Sequence, residues 1–350
     1  MSEGETGLWL WAGAGVLATA AVLSAVLLVL LRPLLRRHAL AQPNARSSHR
    51  EPTPQGGGIA VIAATIAATA GAVGMLGDAG SAATREAFTV LAAGGFLAVV
   101  GLLDDLRPMP VAPRLIFQAL AVAAAIAAMP SDLRIVSAVP WWLERLCLMV
   151  ALVWFVNLVN FMDGIDWMTV AEVVPLTASI ILLGHLTTIS EPSMILDLAL
   201  LGATLGFAPF NKPVAKLFLG DVGSLPIGLL LGWLLLQLAG AGQPAAALLL
   251  PLYYLADASV TLVRRMIAGE SFWQAHRSHF YQRACDRGLG VSAIVGRVFL
   301  TNLALAGLAF VTVIAHGPVV ITGSLLIGAA LVCGLLTSFA GRRNWGAFRS

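Results

Sequence analysis

Residues 87–107 read AFTVLAAGGFLAVVGLLDDLR, an apolar run of 17 residues followed by two adjacent aspartates, a leucine and an arginine. The run is nearly long enough to cross the hydrocarbon core of a bilayer, which needs about 20 apolar residues. Similar runs recur along the 350 residues, of which 59% are hydrophobic and only 11% are charged. This composition excludes a soluble enzyme, a disordered scaffold and a peripheral surface protein.

About eleven such runs follow one another, and they predict an all-α polytopic membrane protein with a single domain over residues 1–350. The residues before the first run include two glutamates and no basic residue, so we interpret this run as a retained helix and not as a cleaved signal peptide. The predicted spans cover residues 8–31, 57–77, 87–103, 114–129, 145–162, 170–184, 194–209, 224–240, 244–260, 292–315 and 318–339.

The distribution of Lys and Arg between the loops predicts the orientation of the chain. With the N-terminus outside, 18 of the 21 basic residues fall on the inner side, and only Arg85, Arg134 and Arg145 fall outside. Because cytoplasmic loops carry the excess of Lys and Arg, we expect an external N-terminus and a cytoplasmic C-terminus. The net charge of +3 then reflects this orientation and does not indicate a nucleic-acid partner.

Aspartates concentrate at the inner ends of the predicted spans, where orientation does not require them. Carboxylates at a membrane boundary are costly to desolvate unless they pair with a base or bind a cation. Salt bridges would explain one or two, but seven on one face indicate a polar chamber open to the cytoplasm. The seven are Asp104, Asp105, Asp163, Asp166, Asp221, Asp257 and Asp286. The inner loops predicted to form the active site are 32–56, 104–113, 163–169, 210–223 and 264–290.

Asp104 and Asp105 lie side by side just past an apolar run. Adjacent carboxylates repel each other unless a proton or a cation compensates. They are therefore candidates to anchor a divalent metal, or to act as a base beside a cation ligand. The structural alternative is that both simply pair with Arg107 and Arg114.

The segment NLVNFMDGID (157–166) carries two amides and two carboxylates in ten residues. If the helix continues to Asp163, Asn157, Asn160 and Asp163 share one face, and Gly164 offers a natural helix end. Such a face suits hydrogen bonding to a polar ligand and metal coordination. Asn also joins membrane helices to each other, which is the alternative for part of this set.

The segment KLFLGDVGS (216–224) places Asp221 between two glycines at the predicted start of a helix. A helix N-terminus with a nearby Lys216 favours phosphate, and a neighbouring aspartate suits the Mg²⁺ that phosphate brings. The alternative is a capping Asp221 or Ser224 beside lysines that reach toward the membrane surface.

Two further inner segments carry weaker signals. HRSHFYQR (276–283) offers two His and two Arg, which suit contact with a diphosphate or proton transfer. PTPQGGG (52–58) combines two stiffening prolines with three glycines that allow close approach to a ligand, or simply forms a turn leading into a helix.

Taken in order, PTPQGGG, LLDD, NLVNFMDGID, KLFLGDVGS and the HRSH loop resemble the motifs of the polyprenyl-phosphate N-acetylhexosamine-1-phosphate transferase family. The resemblance runs from about residue 48 to residue 283. It implies Mg²⁺-dependent transfer of a sugar 1-phosphate from a UDP-sugar to undecaprenyl or another polyprenyl phosphate, with release of UMP. It also implies a multi-pass protein of the bacterial inner membrane whose active site faces the cytoplasm. Mn²⁺ is an alternative metal, and a homodimer stays open.

The resemblance also implies roles for individual residues. Asp104 and Asp105 match the paired catalytic position, and the implied metal ligands are Asp221, Asp163 and Asn160. The implied substrate contacts are Asn157, Asp166, Lys216, Gly220, Ser224, Arg114, His276, Arg277 and His279. Gln118 matches a glutamine that the family tends to place after the paired aspartates.

Two departures from the family pattern bear on the substrate. Many members continue the third motif as DGLDGL, whereas here Asp166 is followed by Trp167. The His loop reads HRSH, which resembles the branch that initiates O-antigen and enterobacterial common antigen and not the peptidoglycan enzyme. The expected donor is UDP-N-acetylglucosamine or another UDP-N-acetylhexosamine, and the expected product starts lipopolysaccharide or another cell-envelope polysaccharide.

Two alternatives stay open at this point. Direct attack by the lipid phosphate is favoured, but a covalent aspartyl-phosphate at Asp104 or Asp105 is the other route. The rival protein class is an ion-coupled multispan transporter, which would place acids in the middle of its spans. Here the acids lie at inner ends and only Asp197 is displaced, near an outer end, which favours the transferase.

Overall fold

The computed structural model describes residues 3–41, 52–76, 78, 80–270 and 277–341. Over these ranges the chain is helical, with thirteen helices and one short hairpin. The helices are α1 Glu3–His38, α2 Gly58–Leu76, α3 Ala82–Leu106, α4 Val111–Ala128, α5 Trp141–Met162, α6 Met168–Gly184, α7 Glu191–Asn211, α8 Asp221–Gly240, α9 Pro244–Leu249, α10 Leu252–Ile267, α11 Phe280–Asp286, α12 Val291–Ala315 and α13 Pro318–Ala340. The hairpin strands are β1 Leu40–Ala41 and β2 Thr53–Pro54.

Among the described helices, nine are long and apolar enough to cross a membrane: α1, α2, α3, α4, α5, α7, α8, α12 and α13. Helix α6 is apolar but shorter, with 17 residues. The prediction of an all-α polytopic membrane protein is therefore confirmed.

The predicted span at 244–260 differs from the structure. This stretch divides into the six-residue helix α9 and the separate helix α10. Pro251 lies at the junction, and a proline has no backbone N–H to continue the hydrogen bonding of a helix. Helix α10 also continues beyond the predicted span to Ile267 and carries Arg264 and Arg265 in its last turn.

Helix α8 lies at the centre of the bundle, and nearly all of its residues are buried. Glycines allow its neighbours to come close. A Cβ on Gly228 would lie 2.8 Å from Cα of Val156 on α5. On α3, a Cβ on Gly101 would lie 2.6 Å from the backbone nitrogen of Val222. The start of α8 is thus held tightly against the end of α3.

The hairpin brings the first predicted inner loop to the start of α8. Its two strands pair antiparallel, with Ala41 opposite Thr53. The backbone N–H groups of Gly57 and Gly58 then donate to the carbonyls of Phe218 and Leu219, each over 2.8 Å. Residues 42–51 of this predicted loop lie outside the described residues.

Candidate active site

Asp105 caps the first turn of α8. Its carboxylate accepts hydrogen bonds from the backbone N–H of Asp221 at 2.9 Å and of Val222 at 3.0 Å. The side-chain amide of Gln55, just after β2, donates to the same carboxylate. The first N–H groups of a helix have no partner within the helix, so Asp105 satisfies two of them and fixes where α8 begins.

Gly220 gives the chain the turn that this cap requires. Its φ is +79°, a backbone conformation that L side chains rarely adopt. A Cβ at this position would also lie 2.6 Å from a carboxylate oxygen of Asp105. Glycine is therefore the residue that fits between the paired aspartates and α8.

Asp104 contacts Arg114 and the side chain of Asp221, and not the backbone of the helix start. It accepts a hydrogen bond from the backbone N–H of Met109 at 2.6 Å and from Nη1 of Arg114 at 2.9 Å. The same Nη1 lies 3.8 Å from Oδ2 of Asp221. Arg114 thus sits between two carboxylates. The Asp221 side chain is the more open of the two, with 27% of its surface exposed against 8% for Asp104.

The end of α5 supplies amide and carboxylate groups beside Asp221. Asn160 donates from its amide to the hydroxyl of Ser224 over 2.9 Å, and it also interacts with Asp221. Asn157, one turn earlier, is buried and donates to Oε1 of Gln118 on α4 over 2.6 Å. The Asn157 amide therefore joins two helices, which is the alternative that the sequence left open for part of this set.

Asp163 follows the last residue of α5 and accepts a hydrogen bond from the hydroxyl of Thr169. Burial raises the pKa of Asp163 to about 7, and the nearby negative charges of Asp105 and Asp166 act in the same direction. Asp166 is itself buried and accepts a hydrogen bond from the backbone N–H of Ala215 at 2.9 Å. It holds the 210–223 segment against the end of α5.

The backbone at the start of α8 differs from the sequence prediction. The N–H groups around Gly220 and Ser224 were expected to be open for a phosphate. Asp105 occupies those of Asp221 and Val222, and the next two donate to the carbonyl of Gly220 at 3.0 Å each. The carboxylate of Asp105 fills the position where a phosphate would bind a free helix end. Lys216 lies exposed on the preceding segment.

His279 lies directly before α11 and contacts a different carboxylate, that of Asp257. It is buried, and its Nδ1 lies 3.2 Å from Oδ1 of Asp257 on α10. Asp257 is fully buried and also accepts hydrogen bonds from the backbone N–H of Phe280 and Tyr281, at 3.0 and 3.2 Å. The sequence predicts Asp257 on the inner face, without a role at the site. The available signal was a carboxylate within the otherwise apolar run 244–260. His276 lies outside the described residues.

Tyr281 connects this loop to the end of α5. Its hydroxyl donates to the carbonyl of Phe161 over 3.0 Å, and its ring stacks on His279 with 5.8 Å between centroids. A Cβ on Gly164 would lie 3.0 Å from Cζ of Tyr281 and closer still to its hydroxyl. Gly164 does not have a positive φ. Gly164 lies just past the end of α5, as the sequence predicted, and its lack of a side chain makes room for Tyr281.

A cationic cavity of about 240 Å³ lies beside the same loop. Arg277 pairs with Asp286 at 2.9 Å, and Arg265 pairs with Glu270 at 2.7 Å. The cavity is lined by Thr261, Arg264, Arg265, Glu270, Arg277, Ser278 and Arg283. Four arginines against one glutamate in the lining make this a site suited to an anion.

The residues at the start of α8 fit a cation that is shared with a substrate. Asp104, Asp105 and Asp221 interact with one another, and Arg114 is the cation that pairs with them among the described residues. The described chain contains no group of three or more His, Cys, Asp or Glu side chains already placed to hold a metal. Mg²⁺ is usually held by one or two carboxylates and completes its shell with water and substrate phosphates. A partial donor set is therefore what such a site requires.

The fold and the site together define a polytopic membrane protein with a carboxylate-rich polar site at one end of its helices. The model of the glycosyl transferase family 4 matches residues 87–239, from α3 to α8. This range contains the paired aspartates, the end of α5 and the start of α8.

Similar proteins come from several bacteria. The chain is 27% identical over 348 residues to a decaprenyl-phosphate N-acetylglucosaminephosphotransferase of Mycobacterium leprae, covering 86% of this chain and 83% of the relative. It is 26% identical over 293 residues to a probable undecaprenyl-phosphate N-acetylglucosaminyl 1-phosphate transferase of Bacillus subtilis, covering 78% of each chain. A shorter stretch of 76 residues is 37% identical to a phospho-N-acetylmuramoyl-pentapeptide-transferase of a Wolbachia species, covering 22% of this chain and 23% of the relative.

Residues 87–239 match glycosyl transferase family 4, and the protein is a membrane enzyme of the sugar-phosphate transferase class. The resemblance seen in the sequence is thereby confirmed, and the transporter alternative is set aside.

Proposed function

We propose that this enzyme transfers an N-acetylhexosamine 1-phosphate from a UDP-sugar to a polyprenyl phosphate in a Mg²⁺-dependent reaction that releases UMP. The observation that carries the proposal is the group of carboxylates around the start of α8, with Arg114 between Asp104 and Asp221. The Mycobacterium and Bacillus relatives are named as transferases that act on polyprenyl phosphates. Transfer of a phosphoryl group between two anions needs mainly charge neutralisation and alignment.

Asp221, Asp163 and Asn160 would hold the metal ion. The carboxylate of Asp221 is more exposed than that of Asp104, and the Asn160 amide lies beside Asp221. Bound Mg²⁺ would neutralise charge on the donor diphosphate. A metal ion would also offset the repulsion among the neighbouring carboxylates. This includes the effect of the negative charges of Asp105 and Asp166, which raise the pKa of Asp163.

The cationic cavity beside α11 supports the binding of the anionic donor. Arg277 and its neighbours supply guanidinium groups that can donate paired hydrogen bonds to phosphate oxygens. His279 is buried against Asp257 and Tyr281, so its role is to hold this loop in place. Tyr281 in turn ties the loop to α5, next to the proposed metal ligands.

The paired aspartates would then act mainly by building the site. Asp105 fixes the start of α8, and Asp104 orients Arg114 toward Asp221. Arg114 is placed to contact an incoming phosphate, and direct attack by the lipid phosphate requires no covalent step on the protein.

The topology that suits this reaction has eleven crossings. The nine long helices provide nine, α6 provides a tenth, and α9 with α10 together provide a broken eleventh. An odd count would place the two termini on opposite sides, and the excess of basic residues on one set of loops would place the N-terminus outside and the C-terminus inside. The carboxylate site would then lie on the cytoplasmic side of the bacterial inner membrane, where UDP-sugars are available.

The reaction can be tested with the purified full-length chain. Undecaprenyl phosphate, Mg²⁺ and a panel of UDP-N-acetylhexosamines are supplied, beginning with UDP-N-acetylglucosamine, and both UMP and the lipid-linked sugar are measured. We expect equal amounts of the two products, dependence on acceptor and metal, and loss of activity with EDTA that Mg²⁺ restores. Folded, monodisperse protein that forms no lipid-linked product from any donor in the panel would refute the proposal. The donor that reacts fastest would identify the hexosamine and direct the assignment to the O-antigen branch or another.

A further inference from the structure

A second cationic cavity, of about 460 Å³, lies at the C-terminal end of α1 beside the end of α7. We refer to it as the α1 groove. It is lined by Val29, Arg32, Pro33, Arg36, Arg37 and Phe210. None of the carboxylates or amides of the proposed active site is among these residues, so the groove is a separate feature.

The α1 groove has an excess of positive charge. Arg32 and Arg36 are four positions apart and therefore lie on the same face of the helix. In the described part of the chain, the ion pairs involve other arginines and none of these three. In addition, Nε of Arg32 is buried and has no hydrogen-bond partner among the described residues. A buried guanidinium N–H without an acceptor is unfavourable, so an anionic ligand would complete this site.

The surface of α1 that precedes the arginines is apolar. Val22, Val26, Val29 and Leu30 have between 48% and 68% of their surface exposed. In a helix that crosses a membrane, such side chains face acyl chains. The groove therefore joins guanidinium groups near the end of the span to a hydrocarbon surface along it.

We propose that the α1 groove binds an anionic phospholipid. Its phosphate would accept hydrogen bonds from Arg32 and Arg36, and an acyl chain would lie along Val29 and Phe210. The guanidinium group forms paired hydrogen bonds with phosphate oxygens. Arginines at the end of a span are also expected from orientation alone, but that explanation does not account for a cavity with a buried, unpartnered Nε.

The polyprenyl phosphate acceptor is a poorer candidate for this groove. The acceptor has to meet the donor at the proposed active site, and no residue of that site lines the groove. Inorganic phosphate would match the arginines but would leave the apolar lining without a partner. A bulk phospholipid satisfies both halves of the groove.

The proposal can be tested by native mass spectrometry of the full-length chain in a neutral detergent, with phosphatidylglycerol and phosphatidylcholine of identical acyl chains as probes. We expect phosphatidylglycerol to be retained in preference to phosphatidylcholine. Arg32→Gln should weaken its binding about fivefold, the effect of one basic residue at an anionic membrane surface. Arg297→Gln removes one charge from an exposed position on α12 and should leave binding unchanged.

A second readout does not depend on the gas phase. Phosphatidylglycerol should raise the thermal unfolding temperature of the wild-type chain in detergent more than that of Arg32→Gln, because a ligand of the folded state stabilises it. If Arg32→Gln is not monodisperse, Arg36→Gln replaces it, since Arg36 is exposed. Both measurements are independent of enzymatic activity.

Three results would overturn the assignment. Equal retention of the two phospholipids would remove the role of charge, and equal loss in the Arg32 and Arg297 variants would remove the role of the groove. Displacement of phosphatidylglycerol by an equimolar amount of polyprenyl phosphate, or by millimolar inorganic phosphate, would show that a bulk phospholipid is the wrong occupant.

Discussion

Gly101 provides a direct test of the close contact between α3 and α8. A Cβ at this position would lie 2.6 Å from the backbone nitrogen of Val222, and closer still to the carbonyl of Asp221. Ordinary van der Waals contact of a Cβ begins near 3.4 Å. The obstructing atoms belong to the backbone, so they cannot rotate away as a side chain would. Gly101→Ala would therefore push the start of α8 away from α3 by about 1 Å.

A displacement of this size separates Asp104 and Asp105 from Asp221. A misplacement of about 1 Å can reduce a rate by about 10²-fold, so we expect kcat/KM of Gly101→Ala to fall by that factor. Alanine is more favourable than glycine within a helix by about 1 kcal/mol. The substitution would therefore stabilise α3 itself, and a weakened α3 would not explain the loss of activity.

Gly95→Ala is the matched control on the same helix. A Cβ there would lie 3.5 Å from Cδ1 of Ile66, which is an ordinary contact. The assay is the initial rate of lipid-linked sugar formation by each purified variant, together with its thermal unfolding temperature. Wild-type kcat/KM in Gly101→Ala would refute the argument from the contact, and an equal loss in Gly95→Ala would show that the effect is not specific to it.

Four further outcomes are expected. Asp221→Asn should abolish turnover and leave the unfolding temperature of the chain close to that of the wild type, because the carboxylate proposed to bind Mg²⁺ is lost. Near-normal rates at ordinary Mg²⁺ concentrations would contradict this. Gly164→Ala should lower kcat/KM at least about tenfold by displacing Tyr281, and adding Tyr281→Phe should recover part of the loss because the hydroxyl makes the closest clash. In a variant without the native cysteines, cysteine probes at Ser278 and Ala138 should be labelled from opposite sides of the membrane; labelling from one side would refute the topology. Labelled UMP should exchange into the UDP-sugar only when the lipid acceptor is present, and acceptor-independent exchange would indicate a covalent intermediate.

Local features of the fold could be predicted from the sequence. The apolar run that ends before Asp104 corresponds to α3, and α5 ends at Met162, just before Asp163. Helix α8 begins at Asp221, between the two glycines that marked a helix start. These helix boundaries are set by apolar runs and glycines next to them in the chain, so the local sequence is enough to predict them.

Contacts between distant segments could not be predicted. The carboxylate of Asp105 and the helix start that it caps are 116 residues apart, and nothing near Asp105 in the sequence indicates a backbone partner. His279 and Asp257 are 22 residues apart, and no local pattern indicates that they pair. The break between α9 and α10 was missed because hydropathy averaged over the run conceals the effect of Pro251.

The contacts of the paired aspartates bear on how the sugar phosphate is transferred. A covalent route needs a carboxylate oxygen that is free to approach phosphorus. Both oxygens of Asp105 accept backbone N–H groups of α8, and the two oxygens of Asp104 accept from Met109 and Arg114. Either residue would have to give up these bonds, and Asp105 would release the start of α8 in doing so. A lipid phosphate that attacks directly needs neither change. These contacts of the two aspartates therefore argue against their acting as the nucleophile.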